Sequence, residues 1–281
     1  MFKFTILLAF VALVSATPTA VEKDPYVRRD ADAPEFIAPL APSCTFPSPP
    51  KTSVLSAPQY ISGTFDGGNV RFERKSGACG SGEGGEADTV FVLNNGATLQ
   101  NVVIGKNQME GVYCKGACTI NNVWFEDVCE DAISGKGSGT VTIRGGGAKN
   151  ASDKVVQHNG NGSVVIDSYC VQTFGKLYRS CGNCSTQYKR TVTISNIIAS
   201  NGDVLAGINS NYGDVANINK GSIQASSVSS MCDTFQGLTS GEPKRLTRNV
   251  SNAKYVFVFV VHATSPWTLT VPFPLLCSCK F

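Results

Sequence analysis

Histidine is nearly absent from this chain, which holds two in 281 residues. Imidazole chemistry is thereby excluded as the main catalytic resource, and His158, in "VQHNG", reads as a turn residue. The same scarcity argues against zinc at the short-spaced pairs "CKGAC" (Cys114, Cys118) and "CGNC" (Cys181, Cys184), because no histidine lies near either. No apolar run is long enough to span a bilayer comfortably: the two strongest, Phe4 to Val14 and Tyr255 to Val261, both fall short. A helical period is missing as well. Net charge is only +3, so the basic residues have to be judged by where they cluster, and neither nucleic acid nor membrane is an expected partner.

What is there begins with an address. "MFKFTILLAFVALVSATPTA" places Lys3 before an apolar run and small residues Ser15 and Ala16 after it, the pattern of a secretory signal peptide over residues 1–16. The polar, Pro-containing stretch 17–29 ends in Arg28-Arg29 and is either a propeptide trimmed there or an uncut arm. A single domain over 30–243 follows. Eleven cysteines in an exported chain imply disulfides, of open connectivity. Sequons at Asn150, Asn161 and Asn183 agree with an extracellular glycoprotein.

Self-similarity sets the architecture. "GATLQNVVIG", "GACTINNVWFEDV", "GSGTVTIRGGGA", "GNGSVVIDSYCV", "KRTVTISNIIASN" and "GDVANINKGSI" share small or polar residues, then a short alternating apolar strand, often with Asn after it. Taking Leu99, Ile120, Val141, Val164, Val192 and Ala216 as equivalent gives steps of 21, 21, 23, 28 and 24 residues. Units of that length, rich in β-branched residues and Gly/Asn turns, fit an all-β fold: a single-stranded parallel β-helix, or β-solenoid. A sandwich or up-and-down barrel is the rival, but shows turn signals at closer intervals. "ISGTFDGG" reads as the turn closing the first coil.

In a solenoid, residues one coil apart in sequence are neighbours in space. Glu110, Asp131 and Asp153, with Lys176 after them, are spaced to form one charged ladder. "WFEDVCEDAI" also crowds Glu126, Asp127, Glu130 and Asp131 together, which costs repulsion unless a cation or a basic side chain sits among them. Because neighbouring strand residues point to opposite faces, one acid of each pair is expected in a groove. The bland alternative is a solvated turn, or an acid paired with Lys136.

"DTVFVLNNGATLQNVVIGKNQMEGVYCKGACTINNVWFEDVCEDAI", "GGGAKNASDKVVQHNG", "GKLYRSCGNC" and "LAGINSNYGD" together resemble the secreted fungal pectate lyases of polysaccharide lyase family 3, from about Thr64 to about Gly237. The resemblance implies a right-handed parallel β-helix and Ca²⁺-dependent β-elimination of pectate, a (1→4)-α-D-galacturonan, to 4,5-unsaturated oligogalacturonides in plant cell wall degradation. It carries Ca²⁺ ligation onto Glu110, Glu130 and Asp131, with Glu126 and Asp127 less well matched. Removing the C5 proton calls for a cation on the uronate and a base near C5. Lys154 is the expected base, since an ordinary lysine is about 0.4% neutral at pH 8 whereas arginine is effectively never neutral. A nearby Ca²⁺ and Arg179 would lower its pKa. Arg179 and Lys176 then grip substrate carboxylates, with Lys136 and Asp153 also at the substrate; the exchange of roles, with Arg179 as base, stays open. The enzyme is expected to act as a monomer on polygalacturonate or pectin.

The strings NTD, DD, GHG and RIK that polygalacturonases share do not occur, which sets a hydrolase below a lyase. A non-catalytic wall-binding β-helix would keep the repeat but not the acid and base set. Residues 244–281 do not resemble the family's usual ending and are expected to be an intron read-through or frame error. Nine cysteines precede Asp233, an odd number, as though one had lost its partner there.

Overall fold

A computed structural model describes residues 41–248 and 276–278. The expected signal peptide, the propeptide segment and, apart from 276–278, the tail beyond Arg248 lie outside the described residues. The chain folds as a parallel β-solenoid of about 8 turns, with single-turn 3-10 helices as the only helices among the described residues. Three parallel stacks run along it. One passes through Arg71–Glu73, 102–104, 123–125, 146–148, 169–171, 197–199 and 223–225. A second passes through Thr64–Asp66, 97–100, 118–121, 141–144, 164–167, 192–195 and 216–218. The third, which carries the site, joins Gln59–Ile61, Thr89–Leu93, Glu110–Cys114, Asp131–Gly135, 154–158, 176–180 and 204–207.

Alternation explains the core. Leu99, Ile120, Ile143, Ile166, Ile194 and Ile218 pair coil to coil and are fully buried. In the third stack Phe91, Val112, Ile133, Val156, Tyr178 and Ala206 do the same. A coil alone leaves such a row wet; stacking buries it, at about 1.5–3 kcal/mol for each large apolar side chain. The repeat is confirmed with one correction: Ile120 pairs with Ile143, and Val141 with Cys118.

The asparagines that follow the strands have a mechanical role. Asn101, Asn122, Ser168 and Asn196 turn the corner between the second and first stacks with positive φ, a conformation that Asn tolerates better than branched residues. Asn122 donates to Asn101 at 2.9 Å and Asn101 to Asp66 at 2.9 Å, so successive corners brace each other. Between the first and third stacks the later coils turn through Asn150, Thr173, Asn201 and Ser227, again with positive φ. The earlier coils use loops there, among them 105–109 and 126–130, and these two place Glu110, Glu130 and Asp131 side by side at the start of the third stack.

The close cysteine pairs are disulfides, Cys114–Cys118 and Cys181–Cys184, joined by Cys44–Cys170 and Cys79–Cys129. Cys232 is also disulfide-bonded, so the odd ninth cysteine has not lost its partner. Lys244–Thr247 and Leu276–Ser278 add antiparallel strands to the last coils. His158 ends a strand rather than a turn: it is buried, bonded through Nδ1 to Tyr178 Oη at 2.9 Å, and burial pulls its pKa down to about 3.

Candidate active site

The charged ladder exists, one residue out of its expected register. Glu110 pairs with Asp131, Asp131 with Lys154, and Lys154 with Lys176. A bulge between Ala151 and Lys154 adds a residue to that coil, which puts Lys154 in the row where equal spacing placed Asp153. Asp153 stands beside the row and bridges it, with Oδ2 at 2.6 Å from Lys154 Nζ and Oδ1 at 2.7 Å from Lys176 Nζ. Those two ammoniums hold its pKa below the ordinary value against the effect of burial.

Glu110, Glu130 and Asp131 converge, with one oxygen from each lying within 4.8 Å of the others. Glu130 and Asp131 therefore both reach the groove, contrary to strict alternation, because Glu130 still belongs to the loop and only Asp131 opens the strand. Lys154 Nζ lies 3.0 Å from Glu130 Oε1 and 3.5 Å from Asp131 Oδ1. Burial, then the charge of Glu130, pushes Glu110 up to about 8; Asp131 is raised well above its ordinary value for the same first reason. Tyr113 Oη donates to Glu110 Oε1 at 3.1 Å. Burial works against the Lys154 charge, yet Asp131, Asp153 and Glu130 outweigh it and raise its pKa. The expected lowering of the Lys154 pKa is thus absent while its carboxylate partners are free to hold the proton.

Arg179 is buried, with Nη1 donating to Ser180 O at 2.6 Å and Asn209 Oδ1 at 2.8 Å and the guanidinium 3.9 Å above the Phe235 ring. Nη2 is buried without a partner, and burial lowers the pKa to about 10. Its row in the third stack runs Tyr113, Ser134, Gln157, Arg179, Gly207, three residues along from the ladder. Lys136 is exposed at the far end of Asp131–Gly135, its Nζ 4.3 Å over the Tyr113 ring, and does not pair with the acids. Glu126 is removed from the candidates: Arg71 grips it with two bonds, of 2.6 and 2.8 Å. Tyr113 and Asn209, which position Glu110 and Arg179, were not singled out in the sequence. Tyr113 could have been, as a polar-tipped residue three places after Glu110 on the same strand.

A hard divalent cation fits what is present. Glu110 Oε2 and Glu130 Oε2 are buried and lack any hydrogen-bond donor, and buried Asp131 Oδ1 has only the Lys154 ammonium, at 3.5 Å, a costly arrangement that a cation relieves. All donors are carboxylate oxygens, as Ca²⁺ requires, and oxygens 4.8 Å apart can both lie about 2.4 Å from one centre.

A β-solenoid with an acidic cluster and buried cations on one lateral stack is a frame for handling an anionic polymer. Residues 43–242 match the family model described as Pectate lyase. The chain is 55% identical over 215 residues to the probable pectate lyase E of Aspergillus fumigatus, covering 75% of this chain and 84% of that one. Among solved structures, the catalytic domain of pectate lyase PelI from Erwinia chrysanthemi aligns with a TM-score of 0.59 and 30% identity, over 73% of this chain and 92% of that domain. PelI in complex with tetragalacturonic acid aligns with a TM-score of 0.54 and 31% identity, over 73% and 66%. The chain belongs to the pectate lyase family, and is an enzyme of that class.

Proposed function

We propose that this pectate lyase is a secreted, Ca²⁺-dependent monomer that cleaves (1→4)-α-D-galacturonan by β-elimination, leaving 4,5-unsaturated oligogalacturonides, in the breakdown of plant cell walls. The observation that carries this reading is the convergence of Glu110, Glu130 and Asp131 on buried oxygens, those of Glu110 and Glu130 donorless, beside Lys154. These three would hold Ca²⁺. Bound there, it would neutralise the charge that now retains the Lys154 proton and, shared with a substrate carboxylate, acidify C5. Lys154 Nζ takes the C5 proton. Arg179, with Nη2 unspent, and Lys176 grip uronate carboxylates; the guanidinium is pre-set by Ser180 and Asn209 and need not reorganise. Lys136 marks a further carboxylate position, and Asp153 spaces the two lysines. The binding of tetragalacturonic acid by PelI supports the choice of substrate.

The test is the ultraviolet absorbance of unsaturated uronide released from polygalacturonate, with EDTA and after Ca²⁺ is restored. EDTA should abolish it and Ca²⁺ recover it. Reducing ends released without that absorbance would mean hydrolysis instead.

A further inference from the structure

Between the strands Arg71–Glu73 and Thr89–Leu93 the chain leaves the solenoid and lies against the acidic cluster. Arg74, at the start of this loop, closes its base on the far end: Nη1 donates to Ala87 O at 2.8 Å and Thr89 O at 2.7 Å, while Nε donates to Leu55 O, outside the loop, at 3.2 Å. Two contacts reach the cluster. Cys79 is bonded to Cys129, the residue directly before Glu130. Gly84 packs so closely on Glu110 that a Cβ there would meet Glu110 Cγ at 2.5 Å and Oε1 at 3.0 Å, and its carbonyl lies 3.3 Å from Tyr113 Oη, the group that also holds Glu110. Gly84 does not have positive φ, so its lack of a side chain serves the approach to Glu110, not the backbone.

We infer that loop 74–89 is a positioning strap for the cation site, its Cys79–Cys129 bond fixing Glu130 and its Gly84 seating Glu110 so that both carboxylates are in place before Ca²⁺ arrives. Carboxylates so crowded repel each other and would spread if the loop let them. The strap opposes that spreading. Its effect should therefore appear in Ca²⁺ affinity, with little change in the rate once the site is filled. The inference rests on the Ca²⁺ reading above, and the experiment separates the two.

CaCl₂ is titrated calorimetrically into the full chain after chelator treatment, for the wild type, Cys79→Ala with Cys129→Ala, Gly84→Ala and Gly80→Ala. The disulfide variant and Gly84→Ala should each weaken Ca²⁺ binding by about tenfold or more, as loss of a ligand-orienting contact does elsewhere. Their kcat at saturating Ca²⁺ should stay within about twofold of wild type. Gly80→Ala is the control: it lies beside Cys79 on the same loop, but a Cβ there meets nothing within 4 Å, so its affinity should not change. Gly84→Ala keeps the disulfide and decides the question if the cysteine variant folds poorly. Ca²⁺ affinity within about twofold of wild type in Gly84→Ala, or an equal loss in Gly80→Ala, overturns the strap alone. A wild type that binds no Ca²⁺ overturns the strap and the Ca²⁺ reading together.

Discussion

Replacing Glu110 by glutamine should make the chelator-treated protein more stable at alkaline pH, while removing its response to Ca²⁺. Glu110 is pushed up from 4.5 to about 8, with burial as the main cause and the charge of Glu130 next. A carboxyl whose folded-state pKa lies above its unfolded value binds its proton more tightly when folded. Its contribution is fully present below about pH 4.5 and is lost as pH rises through about 8. At about 1.4 kcal/mol for each tenfold change in proton affinity, the difference sets a ceiling of about 5 kcal/mol on the cost of ionising it. Asp131 and Glu130 remain in the variant and keep part of that cost, so a gain of about 2 kcal/mol is expected, or about 4–8 °C in Tm for a domain of this size. The side-chain amide of the Glu110→Gln variant would still accept from Tyr113 Oη, so the comparison isolates the charge. The assay is thermal unfolding in EDTA at about pH 4.5 and about pH 9, repeated with Ca²⁺. The gain should be confined to the higher pH. Ca²⁺ at about a hundred times its Kd should then stabilise the wild type by about 2.7 kcal/mol and leave the variant nearly unmoved. A variant no more stable than wild type at the higher pH in chelator, or a gain equal at both pH values, would refute the reasoning.

Lys154→Arg keeps the charge but removes a titratable base, so kcat should fall by about a hundredfold or more with KM largely kept. Arg179→Lys should raise KM and lower kcat together, since one lysine cannot replace the bonds to Ser180 and Asn209 and also grip a carboxylate; an active first variant beside a dead second would make Arg179 the base. Ile143→Ala, in the middle of the Leu99 to Ile218 row, should cost about 2–5 kcal/mol by urea unfolding without altering Ca²⁺ affinity, and unchanged stability would discredit that row as the core. Ending the chain at Arg248, with Cys232→Ala, should raise soluble yield by removing the uncharged β-prone "YVFVFVV", and activity should persist. Ending it at Pro243 instead should give a lower Tm than ending it at Arg248, because Arg245 then no longer meets Asp233 at 3.1 Å; equal Tm values would show that the strand Lys244–Thr247 adds nothing.

The solenoid was legible because its cause is periodic: each coil repeats an apolar row, and a row is visible as a spacing. Even the corners were signalled, since Asn101, Asn122 and Asn196 follow their strands for the same conformational reason each time. A spacing, though, counts residues and is blind to where a coil stores an extra one. The bulge between Ala151 and Lys154 exchanges Asp153 for Lys154 in the ladder, and no local feature of "NASDKVV" announces it. The effect on the site is large, because the row becomes two acids followed by two lysines, and Lys154 then touches both Glu130 and Asp131.

Contacts across long sequence separations were the other blind spot. Glu126 and Glu130 look alike in "WFEDVCED", yet Arg71, 55 residues away, takes the first, while the second meets Lys154. Only the fold decides which acid is already satisfied. Lys154 shows the same limit from the electrostatic side. Arg179 was expected to set its pKa, but Asp131, Asp153 and Glu130 do so instead, and whether the pKa rises or falls depends on whether these carboxylates are free or hold a cation. Asp131, Asp153 and Glu130 keep the proton on Lys154, so under the proposed mechanism a cation held by these acids would have to release it before Lys154 could act as base. Cation binding and base activation are then one event. This predicts that the Ca²⁺ concentration giving half-maximal rate should fall as pH rises, because Ca²⁺ and the lysine proton compete for the same carboxylates. Initial rates across a grid of Ca²⁺ and pH would measure it, and a half-maximal concentration independent of pH would separate the two events and return the choice of base to Arg179.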